Sequence, residues 1–294
     1  MLNEADARYW LGLVSSRRLR IRSEDEYLLL RRAVGLTAGF NRGPNRLARN
    51  IKSDKAALIV KTLEESGICE LRGITRPAIS SIERSIKELE RDFLSGSRSS
   101  RTFAAPNWAY SLIKATLSTE VLEACKVYLE TKTPFIYTPI ILASSCEKSL
   151  IEMTSEEKSN RAFAFHRDID NVKWLKLFVV LTSCEGGEHY YCMGSHHTGD
   201  RDVSDDYEMR VRSCGGFSYP FEAKTKYETH VYTGRFSDDS VLRIYGTQSV
   251  RNVSQINGEA WLEDTYGLHK GTPPKKGARL MLSVLIGKLD IRYE

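Results

Sequence analysis

Helical spacing and strand alternation occupy different parts of this 294-residue chain. That segregation constrains the fold more than any other feature. Residues 5–35 carry Trp10, Leu13 and Val14, then Tyr27 to Leu30, in a helical texture. The Gly/Pro/Asn-rich stretch 39–45 reads as a loop. Ala56, Leu58, Ile59 and Leu63 predict a helix over 54–66, with Gly67 placed to cap it. A short strand over 68–72 follows. Ile79, Ile82, Ile86 and Leu89 predict one helix from 78 to 93, and 110–129 reads as another. From Phe135 the texture becomes β-rich, with Pro139 expected at an edge or bend. Strands are expected near 162–168, 174–182, 188–192, 242–245, 248–254, 259–262 and 279–286. Gly186-Gly187 and Gly194-Ser195 punctuate them as turns. Helices do not alternate with the later strands, so a parallel α/β sheet is disfavoured. The expectation is an α+β chain with a mainly β core, a sandwich or barrel with flanking N-terminal helices. The expected layout is a single domain over 1–294. It comprises a basic helical extension (1–50), flanking helices (51–134) and a β core (135–294) with an insert at 198–241.

Composition sets broad limits. A chain of this length can bury a sizeable core without disulfides. Cys69, Cys125, Cys146, Cys184, Cys192 and Cys214 include no C-x-x-C pair, so zinc knuckles and thioredoxin motifs are absent and free thiols are expected. The first residues carry acids and no long apolar run, which argues against a secretory signal. No run of eighteen apolar residues occurs. A cytoplasmic location is the expectation. Net charge is +5, yet residues 17–61 hold twelve Lys/Arg against four Asp/Glu, so the rest of the chain is net acidic. Such a stretch attracts anions or is a solvated helical face, and the second is the commoner reading. No nucleic-acid partner is expected.

The motif with chemical content is His166-Arg167-Asp168. Side chains two apart on a strand point the same way, so an imidazole and a carboxylate converge. H-x-D alone is weak, because it also occurs as a surface pair. Its aromatic setting in Phe163-Ala164-Phe165 raises it, since a buried Asp and His need a partner, and a metal ion satisfies both. A third ligand would come from His189, His196, His197, His230 or His269. His196 and His197 follow a turn and read as exposed or peripheral, and His189 as a core or pocket residue. His269 precedes a Pro/Gly turn at a strand mouth and is followed ten residues later by Arg279. Two His and one carboxylate form the facial set that binds non-haem Fe(II) and leaves open positions. Arg279, Met281 and Ser283 share one face of a strand. If that face is interior, Arg279 needs an anion, either a structural carboxylate or a dicarboxylate co-substrate gripped by its planar fork. An Fe(II) site with such an arginine points to a 2-oxoglutarate-dependent oxygenase.

Several blocks together resemble the phytanoyl-CoA dioxygenase family. They are Phe165-His166-Arg167-Asp168, then Lys176 to Thr182, then Gly187 and Met193-Gly194-Ser195-His196, then Asp264 to Gly271 with Pro274 and Arg279. The resemblance spans roughly 54–286. It implies a double-stranded β-helix, or jelly roll. It also implies Fe(II) held by His166, Asp168 and His269, 2-oxoglutarate chelating that iron, and Arg279 on its distal carboxylate. Consumption of O2, release of succinate and CO2, and hydroxylation of a small organic molecule are the implied activity. Related halogenases have Ala or Gly in place of the carboxylate. Asp168 is present, so halogenation is disfavoured. Many 2-oxoglutarate enzymes place a Ser two residues after the arginine, where this chain has Met281. Ser283, Thr138 or Tyr137 are the candidate substitutes.

Family resemblance does not choose a substrate. The insert 198–241 and the segment 147–160 are the expected sites of substrate contact, and basic residues there and in 17–61 favour an anionic substrate. Two other readings use the same residues: a catalytically inert jelly-roll binding protein, and a zinc hydrolase. The hydrolase has no need of Arg279 and requires a general base beside the metal.

Overall fold

The structure is a computed structural model that describes residues 51–71, 76–96, 102–145, 163–168, 173–197, 224, 226, 229, 235–253, 256–288 and 290. The expected helix over 5–35, the loop 39–45, the segment 147–160 and most of the insert lie outside these residues.

The elements run in chain order as α1 (Asp54–Ser66), β1 (Ile68–Glu70), α2 (Arg76–Ser80), α3 (Glu83–Leu94), β2 (Thr102–Ala104), α4 (Ala109–Thr116), α5 (Thr119–Tyr128), β3 (Phe135–Ile136) and β4 (Ile140–Ser145). They continue as β5 (Phe165–His166), β6 (Trp174–Val180), β7 (Glu185–Gly186), β8 (His189–Cys192), β9 (Arg235–Phe236), α6 (Asp238–Tyr245) and a 3-10 turn (Thr247–Ser249). The last are β10 (Val250–Val253), β11 (Ala260–Glu263), β12 (His269–Gly271), β13 (Pro274–Lys276) and β14 (Ala278–Gly287). A seven-stranded sheet has the order β1-β11-β6-β14-β4-β2, with β3 also on β14. A five-stranded sheet has the order β10-β8-β12-β5-β9, and β13 pairs with β7. Strand pairs such as β14 with β6 and β12 with β8 are antiparallel. This is the α+β jelly-roll architecture that the sequence predicts.

Strand alternation builds two layers from the larger sheet. Leu280, Leu282, Val284 and Ile286 of β14, with Leu175, Leu177 and Val179 of β6, pack against Ala56, Ile59 and Leu63 of α1 and against Leu112 and Val121. The opposite face sends Phe178, Val180, Trp261 and Met281 toward Tyr191 and Val253 of the smaller sheet. One face therefore carries the helices, and the other closes on the second sheet around an interior.

Helix α1 matches its sequence expectation. Ser53 caps it by accepting from the Ala56 amide, and Gly67 ends it at φ +81°. A Cβ at Gly67 would lie 2.0 Å from Tyr191 Oη, so glycine is required for both conformation and space. Three expectations are corrected. The single helix over 78–93 is two, α2 and α3, separated at Ser81-Ile82. The helix over 110–129 is also two, because Ser118 accepts from the Val121 amide and starts a new helix. Residues 242–245 are helical rather than extended. Ser237 caps α6, Asp238 and Asp239 occupy its first turn, and these outweigh the strand-like texture that follows. Within the expected insert, Arg235–Phe236 form an edge strand on β5, so this part belongs to the smaller sheet. Cys69, Cys125, Cys184 and Cys192 are free thiols. No helix of the described residues is long and apolar enough to cross a membrane.

Candidate metal centre

His166 on β5 and His269 on β12 stand directly opposite each other in an antiparallel pair. Their rings are 4.2 Å apart between centroids. Each ring is oriented by the same local device. His166 Nδ1 lies 3.0 Å from the Ala164 carbonyl, and His269 Nδ1 lies 3.0 Å from the Gly267 carbonyl. A carbonyl can only accept, so each Nδ1 carries the hydrogen and each Nε2 points away from its strand. Both Nε2 atoms face Asp168. His166 Nε2 is 3.7 Å from Oδ1, and His269 Nε2 is 3.4 Å from Oδ2. Asp168 lies just beyond the end of β5, tied down by its amide donating to the Thr265 carbonyl at 2.8 Å. One donor atom from each of the three residues lies within 4.8 Å of the others. The structure thus brings together the three residues singled out from the sequence.

Electrostatics divide the two histidines. Burial holds His166 well below the ordinary imidazole value, and His269 and Arg235 add to this. Burial also pushes His269 down, but Asp168 outweighs it and raises that ring. For Asp168, burial pushes up, while Lys176 with His269 outweighs it and holds the carboxyl well below its usual range. Lys176 Nζ donates to Asp168 Oδ2 at 2.6 Å.

Arg279 projects from β14 into the same cavity of about 360 Å³, which His166, Asp168 and His269 line as well. Arg279 is buried, 8% exposed. Nη2 donates to Met281 Sδ at 3.3 Å, and Nε has no hydrogen-bond partner among the described residues. No carboxylate pairs with it within 4 Å among the described residues. Burial lowers it to about 10, although Cys184, Glu263 and Glu188 pull the other way. Gly271 keeps the approach open, because a Cβ there would come 3.2 Å from Nη1. The residue two places after the arginine is therefore its contact even though it is Met281. Ser283 also lines the cavity, whereas Tyr137 and Thr138 do not. Ile140, Leu142, Phe163 and Phe178 make the wall apolar.

The other histidines separate clearly. His189 lines the cavity beside the cluster. His197 is exposed, but His196 is buried, with Nε2 on the Glu64 carbonyl at 3.2 Å, and takes no part in the cluster. His230 lies outside the described residues.

Three residues around the centre have no role assigned from sequence. Lys176 pairs with Asp168. Glu263, fully buried on β11, accepts from His189 Nε2 at 2.8 Å. Arg167 runs away from the cavity, donating to the Thr229, Ser195 and Tyr266 carbonyls and so tying three segments behind the motif. A signal existed for two of them. Lys176 and Glu263 are single charges in otherwise apolar strands, on the faces that hold Phe178 and Trp261.

No family model matches the chain, and no curated protein matches it. Among solved structures, EctD from S. alaskensis with 2-oxoglutarate and 5-hydroxyectoine is 10% identical with a TM-score of 0.50, covering 81% of this chain and 78% of that one. AviO1 from Streptomyces viridochromogenes Tue57 is 14% identical with a TM-score of 0.45, covering 81% and 96%. The epimerase SnoN in complex with Fe3+, alpha ketoglutarate and nogalamycin RO is 13% identical with a TM-score of 0.46, covering 79% and 82%. The likeness to EctD shows that this chain shares that protein's fold, a double-stranded β-helix.

Proposed function

We propose that this chain is an Fe(II)- and 2-oxoglutarate-dependent oxygenase acting on a small organic molecule. The observation that carries this reading is one apolar cavity holding both a His-Asp-His cluster and a buried guanidinium with no carboxylate in salt-bridge contact among the described residues. The donor set fits Fe(II), with two neutral imidazole nitrogens and one carboxylate on one side and the cavity on the other. The guanidinium fits a carboxylate, because its planar fork pairs two N–H groups with two oxygens. Fe(II) with 2-oxoglutarate supplies oxidative decarboxylation by O2, giving succinate and CO2, coupled to oxidation of the substrate, commonly hydroxylation.

The protein's own residues have distinct tasks in this reading. The Ala164 and Gly267 carbonyls hold both rings in the tautomer that offers Nε2. Lys176 donates to Asp168 Oδ2, which fixes the carboxylate in place and leaves its remaining lone pairs for the metal. Arg279 anchors the distal carboxylate of the co-substrate and orients it along the cavity. Phe163, Phe178, Leu142 and Met281 exclude water, which strengthens each of these interactions. The presence of Asp168 leaves no ligand position for a halide, so oxygenated rather than chlorinated product is the outcome. The substrate is small, because Lys176 and Arg279 are already engaged and the rest of the roughly 360 Å³ cavity is mainly apolar.

The test is metal content and 2-oxoglutarate turnover. Wild-type protein should bind one Fe(II) and release succinate. His166→Ala and His269→Ala should each lose bound iron and turnover together. Retention of iron by either variant refutes the ligand assignment.

A further inference from the structure

Glu263 is a buried charge to which the oxygenase chemistry gives no task. Glu263 is fully buried on the inner face of β11. Its Oε2 accepts from His189 Nε2 and from Trp261 Nε1, both at 2.8 Å. Its Oε1 has no hydrogen-bond partner among the described residues. That bare oxygen lies 3.9 Å from Nδ1 of His269. Nδ1 already donates to the Gly267 carbonyl, so the relation is one of charge rather than a hydrogen bond. His189, pinned by Glu263, packs its ring 5.9 Å from that of His269. Two N–H donors converging on one oxygen favour the charged carboxylate.

A buried carboxylate with one unsatisfied oxygen is a poor way to stabilise a core, since apolar residues of similar size serve as well or better. Its position has a use once a metal occupies Nε2 of His269. The metal draws electron density through the ring and makes the Nδ1 side more positive, and a negative charge held there favours the loaded state.

We propose that Glu263 is a positioning residue of the metal centre: fixed through one oxygen by His189 and Trp261, it places negative charge beside the His269 ring and strengthens that ring as a metal ligand. This rests on the proposed metal-binding function, and the experiment separates the two. Co(II) binding to the full-length protein is measured by calorimetry without 2-oxoglutarate, beside chemical denaturation of the metal-free protein, for wild type, Glu263→Gln and Glu263→Asp. Wild type should bind one Co(II). Glu263→Gln should raise the dissociation constant about tenfold while leaving metal-free stability unchanged or higher. Glu263→Asp keeps the charge and should retain more of the affinity than Glu263→Gln. The shape-matched pair Glu263→Asp and Glu263→Asn makes the same comparison if Glu263→Gln folds poorly. A wild-type dissociation constant in Glu263→Gln, or equal losses in the charged and neutral variants, overturns the proposal. Absence of stoichiometric Co(II) in wild type overturns the metal-binding reading itself, and this inference with it.

Discussion

Replacing Arg279 with methionine separates a binding role from a structural one. Methionine keeps a stem of similar shape to that of arginine and removes the guanidinium with its charge. Burial lowers the guanidinium to about 10, a fall worth about 3 kcal/mol against the charged form. At neutral pH the group is protonated in both folded and unfolded chains, so the folded protein carries that penalty in full. The penalty is relieved only as pH rises above about 10, where the folded state releases the proton before the unfolded chain does. Arg279→Met should therefore leave the ligand-free protein as stable as wild type or more so by up to about 3 kcal/mol at pH 7. Its advantage should shrink as the pH climbs past about 10. Binding should behave oppositely. Two hydrogen bonds to a carboxylate contribute about 1.5 kcal/mol or more each, so the variant should lose at least about 100-fold in affinity for 2-oxoglutarate. Urea denaturation with Co(II), with and without 2-oxoglutarate, reads both quantities. A ligand at 100 times its wild-type dissociation constant should add about 2.7 kcal/mol to wild type and at most about 0.4 kcal/mol to the variant. If Arg279→Met loses stability without ligand and is still stabilised by 2-oxoglutarate, Arg279 is a structural cation and the co-substrate assignment fails.

Three further outcomes are expected. A Cβ at Gly267 would lie 1.9 Å from Tyr191 Oη, in the turn whose carbonyl orients His269, so Gly267→Ala should lower thermal stability and bound metal together; unchanged metal content on elemental analysis would contradict this. Burial pushes the Cys125 thiol up to about 12, so Cys125 should stay unlabelled by a thiol reagent at pH 8 in folded protein and react after denaturation, as read by peptide mass spectrometry; labelling of the folded form would show that its surroundings open. Shortening the insert within 198–234 should impair substrate-dependent turnover while leaving iron binding and slow uncoupled 2-oxoglutarate decarboxylation intact; normal substrate turnover would make that segment a plain connection.

Much of the site was legible because strand geometry is local. Alternation along 279–286 already puts Arg279, Met281 and Ser283 on one face, and the cavity lies on that face. The H-x-D pair converges although β5 ends at His166, because the spacing of two is enough to turn both side chains the same way. Helix α1 and its Gly67 cap were legible for the same reason, since apolar spacing and a left-handed glycine act within one turn. The helix breaks at Ser81-Ile82 and Ser118 were not, because spacing of apolar residues continues across a kink and only packing decides where the axis bends. Residues 242–245 misled because Leu242, Ile244 and Tyr245 read as a short strand by themselves, whereas the governing cap at Ser237 precedes them.

What sequence could not determine were the partners of charges. Lys176 and Asp168 are near in the chain, but whether β6 turns Lys176 toward the cluster depends on its register with β14 and β11. Glu263 and His189 are 74 residues apart, and Arg167 reaches carbonyls 28, 62 and 99 residues away. The sequence by itself determined which residue types face inward, because a side chain's direction on a strand follows from its neighbours. Which inward-facing groups meet was decided only by the tertiary structure, because strand register and the packing of two sheets set distances between residues that the chain leaves far apart.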